Sequence, residues 1–180
     1  MRYSLLFAAG LLASLCSCAQ RAALTSAAPA TPASPILGSK PRTVSTIPIH
    51  TLPNDTALVF QRTPCYGTCP AYTAVVFRNG KVSYTGERFV PVTGPRALSL
   101  PQATVQEMVD QARAINFNGL EPSYHAQVTD LPATIVTSYL PGQRPYQVMA
   151  ERGAAPTPLQ GYIDYLASKL DPLAGLSGKQ

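Results

Sequence analysis

The stretch PCYGTCPAY at residues 64–72 sets the layout of the folded part of this chain. It holds Cys65 and Cys69, and the other two cysteines of the chain lie within its first eighteen residues. It also separates two apolar runs, residues 57–62 and 71–78, whose β-branched and aromatic side chains are typical of strands. We therefore expect a tight corner between two strands.

The N-terminus has the features of an export signal. Residues 4–15 form an apolar run of the length found in signal peptides, too short to cross a bilayer. The following LCSC at residues 15–18 resembles the lipobox of bacterial lipoproteins. This resemblance implies a signal peptide over residues 1–17 and lipidation of Cys18, including palmitate, which would anchor the chain firmly. In some Gram-negative bacteria, an Asp directly after the lipidated cysteine retains a lipoprotein in the inner membrane. Because this chain has Ala19 at that position, we expect it to be anchored in the outer membrane, with its domain facing the periplasm.

The segment that follows Cys18 has the composition of a tether. Residues 18–55 are rich in Pro, Ala, Ser and Thr, which cannot bury enough apolar surface to fold and which favour extended conformations. The chain carries a net charge of +5, but its basic residues are scattered rather than clustered as in nucleic-acid-binding proteins. We therefore expect no nucleic-acid partner. The expected partners are the membrane, which the protein contacts through its lipid, and an envelope protein or glycan.

The cysteine pair at the corner has several possible roles. An even pair in an exported protein favours a disulfide, and Gly67 allows the turn that brings Cys65 and Cys69 into bonding range. A thiol-redox enzyme is the alternative, although such pairs normally have two intervening residues and lie at a helix N-terminus. A metal site would need further ligands, and neither His50 nor His125 has a matching spacing. No cofactor is expected.

A hairpin is predicted at Asn79-Gly80, a dipeptide that favours a two-residue type I′ turn. Such a turn would pair Phe77 with Val82. The predicted core face of this hairpin comprises Val75, Phe77, Val82 and Tyr84. A second hairpin is predicted from residues 133–140 and 145–150, with a turn at residues 141–144.

Two amphipathic helices are predicted. Capping-box patterns, SLPQ at residues 99–102 and TPLQ at residues 157–160, each precede apolar residues at helical spacing. The first helix is expected to end at Asn118-Gly119 and the second at Asp171-Pro172. The hairpin-then-helix pattern thus occurs twice. It predicts an α+β domain over residues 56–172, with an antiparallel sheet of about five strands, two helices on one face, and a loose tail at residues 173–180.

The corner sequence and the Asn-Gly hairpin resemble an uncharacterised bacterial domain family with the signature P-C-[FY]-G-x-C-P-x-Y. Its members are frequently lipoproteins. The resemblance covers residues 56–170 and implies the exported setting and the domain boundaries. It implies no activity, because the family has none assigned.

No catalytic constellation is evident in the sequence. His125 and Asp130 could form an acid–base pair, but no nucleophile motif accompanies them, so we expect a solvated loop histidine and a turn aspartate. The candidate binding surface comprises Arg62, Tyr66 and Tyr72, provided that the two tyrosines are exposed rather than packed beneath the corner. The sequence therefore favours a non-catalytic binding or structural role in the envelope.

Overall fold

The computed structural model describes residues 55–176 of the chain. The predicted signal peptide, the predicted lipidation site Cys18 and most of the predicted tether lie outside these residues. Seven strands and two α-helices follow one another, with single 3₁₀ turns at Phe117–Gly119 and Asp171–Ala174: β1 Thr56–Arg62, β2 Ala71–Phe77, β3 Lys81–Arg88, β4 Gly94–Ser99, α1 Gln102–Ala114, β5 Ser123–Tyr124, β6 Ala133–Ser138, β7 Tyr146–Glu151 and α2 Thr157–Leu170.

The strands form one sheet in the order β4-β3-β2-β1-β6-β7-β5. All neighbouring pairs are antiparallel except the two-residue β5, which runs parallel to β7. The predicted α+β class is confirmed, but the sheet has seven strands rather than five. β4 was missed because Pro95 lies within it, and Pro is tolerated in a strand at the edge of a sheet. β5 is too short to show any periodicity.

Both helices pack on one face of the sheet, as predicted. Leu58 and Phe60 of β1 and their partners Val76 and Ala74 of β2 point to this face and join the buried sides of both helices in one hydrophobic cluster. Burial of each large apolar side chain contributes roughly 1.5–3 kcal/mol to folding. The helix residues that are buried follow the predicted stripes: Val105, Met108, Val109 and Ala112 in α1, and Leu159, Tyr162, Ile163, Leu166, Ala167 and Leu170 in α2.

The β2–β3 turn differs from the predicted type I′ turn. Its loop has three residues, and the Gly80 amide donates to the Phe77 carbonyl at 3.0 Å. Within the loop only Gly80 has a positive φ, 86°, as in a type I turn followed by a left-handed glycine. The extra loop residue shifts the register by one, so that Val82 faces Val76. The predicted core face was therefore correct in β3 and wrong in β2, where Val75 points to the other side of the sheet.

The predicted capping boxes do not form. α1 follows Pro101 and α2 follows Pro156, and no side-chain hydrogen bond caps either helix. Ser99 is the last residue of β4, while Thr157 already belongs to α2. Each helix begins directly after a proline whose own backbone is extended. The fixed φ of proline is compatible with both the extended and the helical conformation, so no capping residue separates the two.

The residues that follow each helix also differ from the prediction. After α1 the left-handed conformation falls on Asn116, with a φ of 52°, rather than on Gly119. After α2 the chain does not become loose at residue 173. Ala174 is fully buried, and its carbonyl accepts a hydrogen bond from the Val92 amide at 3.2 Å.

Candidate functional site

A disulfide closes the corner between β1 and β2. Cys65 and Cys69 are joined, with their Cα atoms 5.6 Å apart, so the predicted disulfide is present. The Gly67 amide donates to the Cys65 Sγ at 3.2 Å, inside the closed ring of residues. The sulfur bridge lies in a loop between two strands and not at the start of a helix.

Thr63 fixes the base of this loop to the neighbouring strand β6. Its amide donates to the Ala133 carbonyl at 2.9 Å, and the Ala133 amide donates to the Thr63 hydroxyl oxygen at 2.8 Å. The corner is thus held by covalent closure and by hydrogen bonds to a second strand. A loop restrained in this way loses little further entropy when it binds a partner.

Tyr66 occupies the tip of the disulfide loop. It is 96% exposed, whereas Tyr72, the other tyrosine of the predicted binding surface, is completely buried. The predicted surface of Arg62, Tyr66 and Tyr72 is therefore divided. Only Tyr66 presents its ring to solvent, and the other two residues lie beneath the corner.

The buried Tyr72 belongs to an internal polar cluster. Its ring lies between those of Phe60 and Tyr84, with centroid distances of 5.9 and 5.5 Å. Its hydroxyl donates to the Asp171 Oδ1 at 2.6 Å. Burial raises the pKa of Tyr72 most, the Asp171 carboxylate raises it further, and Arg62 offsets part of the effect. Tyr72 is therefore a neutral hydrogen-bond donor and not a proton-transfer group near neutral pH.

Arg62 and Asp171 complete this cluster. The Arg62 Nη2 donates to the Asp171 Oδ2 at 2.6 Å, and both side chains are largely buried. Arg62 faces Tyr72 directly in the β1–β2 register, so one carboxylate holds the facing ends of two strands. In the sequence, Asp171 is recognisable only as part of a helix stop. The sequence feature that could have indicated its role is a single acidic residue immediately after the apolar stripe of a helix.

A cleft of about 880 Å³ opens beside the disulfide. Cys69 and Pro70 form part of its wall, and the Arg62–Asp171 pair also lines it. The start of β6, the end of β7 and one side of α2 provide the rest. Its remaining polar lining includes Glu151, Arg152, Gln160, Asp164 and Ser168, and its apolar lining includes Ile163, Ala167 and Leu176.

Residues 56–169 match the family model described as a domain of unknown function, DUF6438. The chain belongs to the DUF6438 family. The matched segment begins with the first residue of β1 and includes the disulfide corner, and it ends two positions before Asp171. No curated protein matches this chain.

Several loops of the DUF6438 domain meet at the end of the sheet that carries the disulfide. We call this the disulfide end and define it as residues 63–70, 89–93, 125–132 and 152–156. β1 ends here, and so do β3, β5 and β7. Three large hydrophobic side chains are exposed among residues 55–176, and all three lie here: Tyr66 at 96%, Val128 at 62% and Phe89 at 47%.

Phe89 has an unusual backbone for its residue type. Its φ is 53°, a left-handed conformation that costs a bulky residue of order 1–3 kcal/mol. The loop is held by hydrogen bonds at Val92, whose carbonyl accepts from the Tyr84 hydroxyl at 2.8 Å. The Arg88 guanidinium lies 5.2 Å from the centre of the Phe89 ring. The DUF6438 domain thus maintains an exposed aromatic ring at a cost in backbone strain.

His125 pairs with Glu151 at the same end. The His125 Nδ1 lies 3.2 Å from the Glu151 Oε1, and the Ala126 amide donates to the Glu151 Oε2 at 2.7 Å. The amide is the main cause of the lowered pKa of Glu151, and His125 contributes further. The partner of His125 is thus Glu151. This contact ties residues 125–132 to the end of β7.

The electrostatics of the described residues are balanced. Residues 55–176 contain nine Lys or Arg and nine Asp or Glu, so the excess of five positive charges lies outside them. Within this part of the chain, no group of three or more His, Cys, Asp or Glu is arranged to hold a metal ion. No helix described here has the length and apolar character needed to cross a membrane.

Proposed function

We propose that this DUF6438 protein is a lipid-anchored, non-catalytic binding protein of the bacterial cell envelope, and that its domain binds a partner through the disulfide end. The observation that carries the proposal is Tyr66. A tyrosine that is 96% exposed on a covalently closed loop contributes nothing to the core, and exposed, pre-positioned aromatic rings are typical of binding hot spots.

The path of the chain supports this assignment of the binding surface. β1 begins at Thr56 and ends at Arg62, so the predicted tether joins the domain at the end of the sheet opposite the disulfide. A seven-residue strand separates the two ends by roughly 20 Å. Lipidation of Cys18 would therefore attach the domain to the membrane through the chain that enters at Thr56, and not through the disulfide loop.

The arrangement of the titratable groups supports binding over catalysis. Asp171 is occupied by both Arg62 and Tyr72, and burial keeps the Tyr72 hydroxyl protonated. The cysteine pair lies between strands, whereas redox-active pairs use a helix N-terminus to lower the thiol pKa. These features favour a structural disulfide over the alternative of a thiol-redox enzyme.

The anchor is tested separately from the binding surface. We expect mass spectrometry of the protein from bacterial membranes to find acyl chains on Cys18. Replacement of Cys18 with Ala is expected to abolish this modification and to move the protein out of the membrane fraction. An unmodified Cys18 in membrane-derived protein would contradict the lipoprotein assignment.

Site-specific photo-crosslinking tests the binding surface. A photoreactive phenylalanine analogue at position 66 is expected to form adducts in intact cells. The same analogue at Gln106, an exposed residue of α1, serves as the control. Adduct yields at position 66 no higher than those at position 106 would contradict a partner at the disulfide end.

A further inference from the structure

The exposed rings at the disulfide end lie on loops that adjoin the cleft. Tyr66 precedes Cys69 and Pro70 by only a few residues, and these two line the cleft. Phe89 follows Arg88, which pairs with Ala71 at the start of β2. The Phe89 loop in turn reaches the segment after α2 through the hydrogen bond between Val92 and Ala174. The rings and the cleft therefore lie at the same end of the domain, and a ligand longer than one sugar ring could contact both.

The chemistry of this surface is mixed. Exposed aromatic rings stand on the adjoining loops, and the cleft combines three carboxylates and two guanidiniums with an amide, hydroxyls and small apolar patches. A protein partner would be better matched by a contiguous apolar patch, whereas here three exposed hydrophobic residues lie on three separate loops. A bilayer surface is flat and would leave the cleft filled with water.

The net charge argues against a polyanion. The described part of the domain is neutral, and in the cleft three carboxylates outnumber the two guanidiniums of Arg62 and Arg152. Steering of a polyanionic ligand requires an excess of positive charge. A ligand with alternating apolar and hydroxyl faces and little charge fits the surface best.

We propose that the disulfide end binds a saccharide chain, with Tyr66 stacked on one sugar ring and neighbouring sugars hydrogen-bonded in the cleft. Sugar rings present C–H groups on one face, which are attracted to the electron-rich face of an aromatic ring. Gln160 donates one amide N–H to the Asp164 Oδ1 at 2.8 Å, so sugar hydroxyls can accept from its second N–H and donate to the other Asp164 oxygen. This proposal rests on the proposed function, because it names the ligand class for the same surface.

Calorimetric titration of the detergent-purified full chain tests this proposal. The probes are β-1,4-linked tetramers of N-acetylglucosamine and of glucose. We expect at least one of them to bind, Tyr66→Phe to retain the affinity because it keeps the ring, and Tyr66→Ala to weaken it about tenfold or more. If neither tetramer binds, or if Tyr66→Ala binds as tightly as wild type, the saccharide proposal is overturned.

Phe89→Gly provides a second variant that does not depend on Tyr66. Glycine relieves the positive φ of this position, so the fold should be preserved while the aromatic ring is lost. We expect weaker binding of the tetramer by several-fold with no loss of thermal stability. Unchanged affinity would remove Phe89 and its loop from the proposed site.

The remaining outcomes separate this proposal from the proposed function. Photo-crosslinks at position 66 together with an absence of tetramer binding would retain a binding protein but exclude this ligand class. Proteoliposomes of equal parts phosphatidylethanolamine and phosphatidylglycerol test the membrane instead. Protection of the Tyr66 ring from oxidation in these vesicles, without added sugar, would overturn the saccharide proposal in favour of the bilayer.

Discussion

Arg62 and Asp171, which are 109 positions apart in the sequence, form an ion pair with an N–O distance of 2.6 Å. The pair joins the last residue of β1 to the first residue after α2. Because Tyr72 donates to the same carboxylate, both strands of the disulfide corner are fixed to the helix layer. The position of the loop that carries Tyr66 therefore depends on a buried polar cluster as well as on its own disulfide.

Replacement of Asp171 with Asn should destabilise the domain. Breaking a fully buried ion pair costs roughly 3–5 kcal/mol, because one charge is left unpaired. Arg62 and Asp171 keep some solvent contact, which reduces this cost, so we expect the free energy of unfolding to fall by about 2 kcal/mol in urea denaturation. An Asn at this position still accepts a hydrogen bond from Tyr72, which isolates the effect of the charge.

Asp110→Asn is the matched control for this prediction. Asp110 pairs with Arg113 at 2.8 Å, but both side chains are about half exposed. Such surface pairs contribute about 0–1 kcal/mol. Equal losses of stability in the two variants would show that the Arg62–Asp171 pair has no special role.

Tyr72→Phe should change the response of stability to high pH. Burial and Asp171 raise the pKa of Tyr72 in the folded state above its value of about 10 in the unfolded chain. The folded state therefore retains a proton that the unfolded state loses, and the free energy of unfolding falls as pH rises above about 10. Without this hydroxyl, the decline should be shallower by about 1.4 kcal/mol per pH unit.

Urea denaturation at several pH values between neutral and about 11 measures this difference. Tyr66→Phe is the control, because the Tyr66 ring is exposed and its hydroxyl makes no part of the buried cluster. At neutral pH, loss of the Tyr72 hydroxyl alone should cost about 1–2 kcal/mol. Parallel pH curves for wild type and Tyr72→Phe would contradict the buried, protonated state assigned to Tyr72.

Removal of the disulfide should destabilise the domain modestly. The bridge closes a short loop, with a sequence separation of 4, and the chain-entropy relation gives about 2 kcal/mol for a loop of this size. We expect this loss in the double variant Cys65→Ser, Cys69→Ser, and a similar loss for the wild type in reductant. If neither differs from the oxidised protein, the hydrogen bonds between Thr63 and Ala133 are sufficient to hold the corner.

Gly80→Ala should disrupt the β2–β3 hairpin. A Cβ atom at this position would lie 2.4 Å from the Leu100 carbonyl oxygen, and the φ of 86° is itself unfavourable for alanine. We expect a loss of about 3 kcal/mol. Gly142 has a similar φ of 76° but no atom within 4 Å of its Cβ position, so Gly142→Ala should cost only about 1–2 kcal/mol. Equal losses would exclude the close contact with Leu100.

Periodicity in the sequence was sufficient to predict the helix layer. The apolar stripes of the two helices repeat every three or four residues over about three turns, and the residues they predict are buried. The exception is Ile115, the last residue of the first predicted stripe, which follows α1 and is only partly buried. The side of β2 that faces the core was harder to predict, because Asn79-Gly80 is compatible with loops of two or three residues. The difference of one residue exchanges the two faces of the strand.

The wrong register predicted for the β2–β3 hairpin also affected the prediction of the candidate site. In the observed register Tyr72 lies on the same side of β2 as Ala74 and Val76, which face Tyr84 and Val82. A correct turn assignment would therefore have predicted a buried Tyr72. The partners of Asp171 were beyond reach, because a hydrogen bond across 99 positions leaves no local pattern. Tyr66 was identified because the two cysteines around it define a closed loop.

Radical footprinting of the Tyr66 side chain tests the proposed binding surface most directly. Tyr66 should oxidise rapidly in the detergent-purified protein, because it is 96% exposed, and slowly in isolated cell envelopes, where the partner covers it. Phe77, at the other end of the sheet, provides the internal reference. Slower oxidation of Tyr66 relative to Phe77 in envelopes would support the binding surface, whereas an unchanged ratio in the two samples would contradict it.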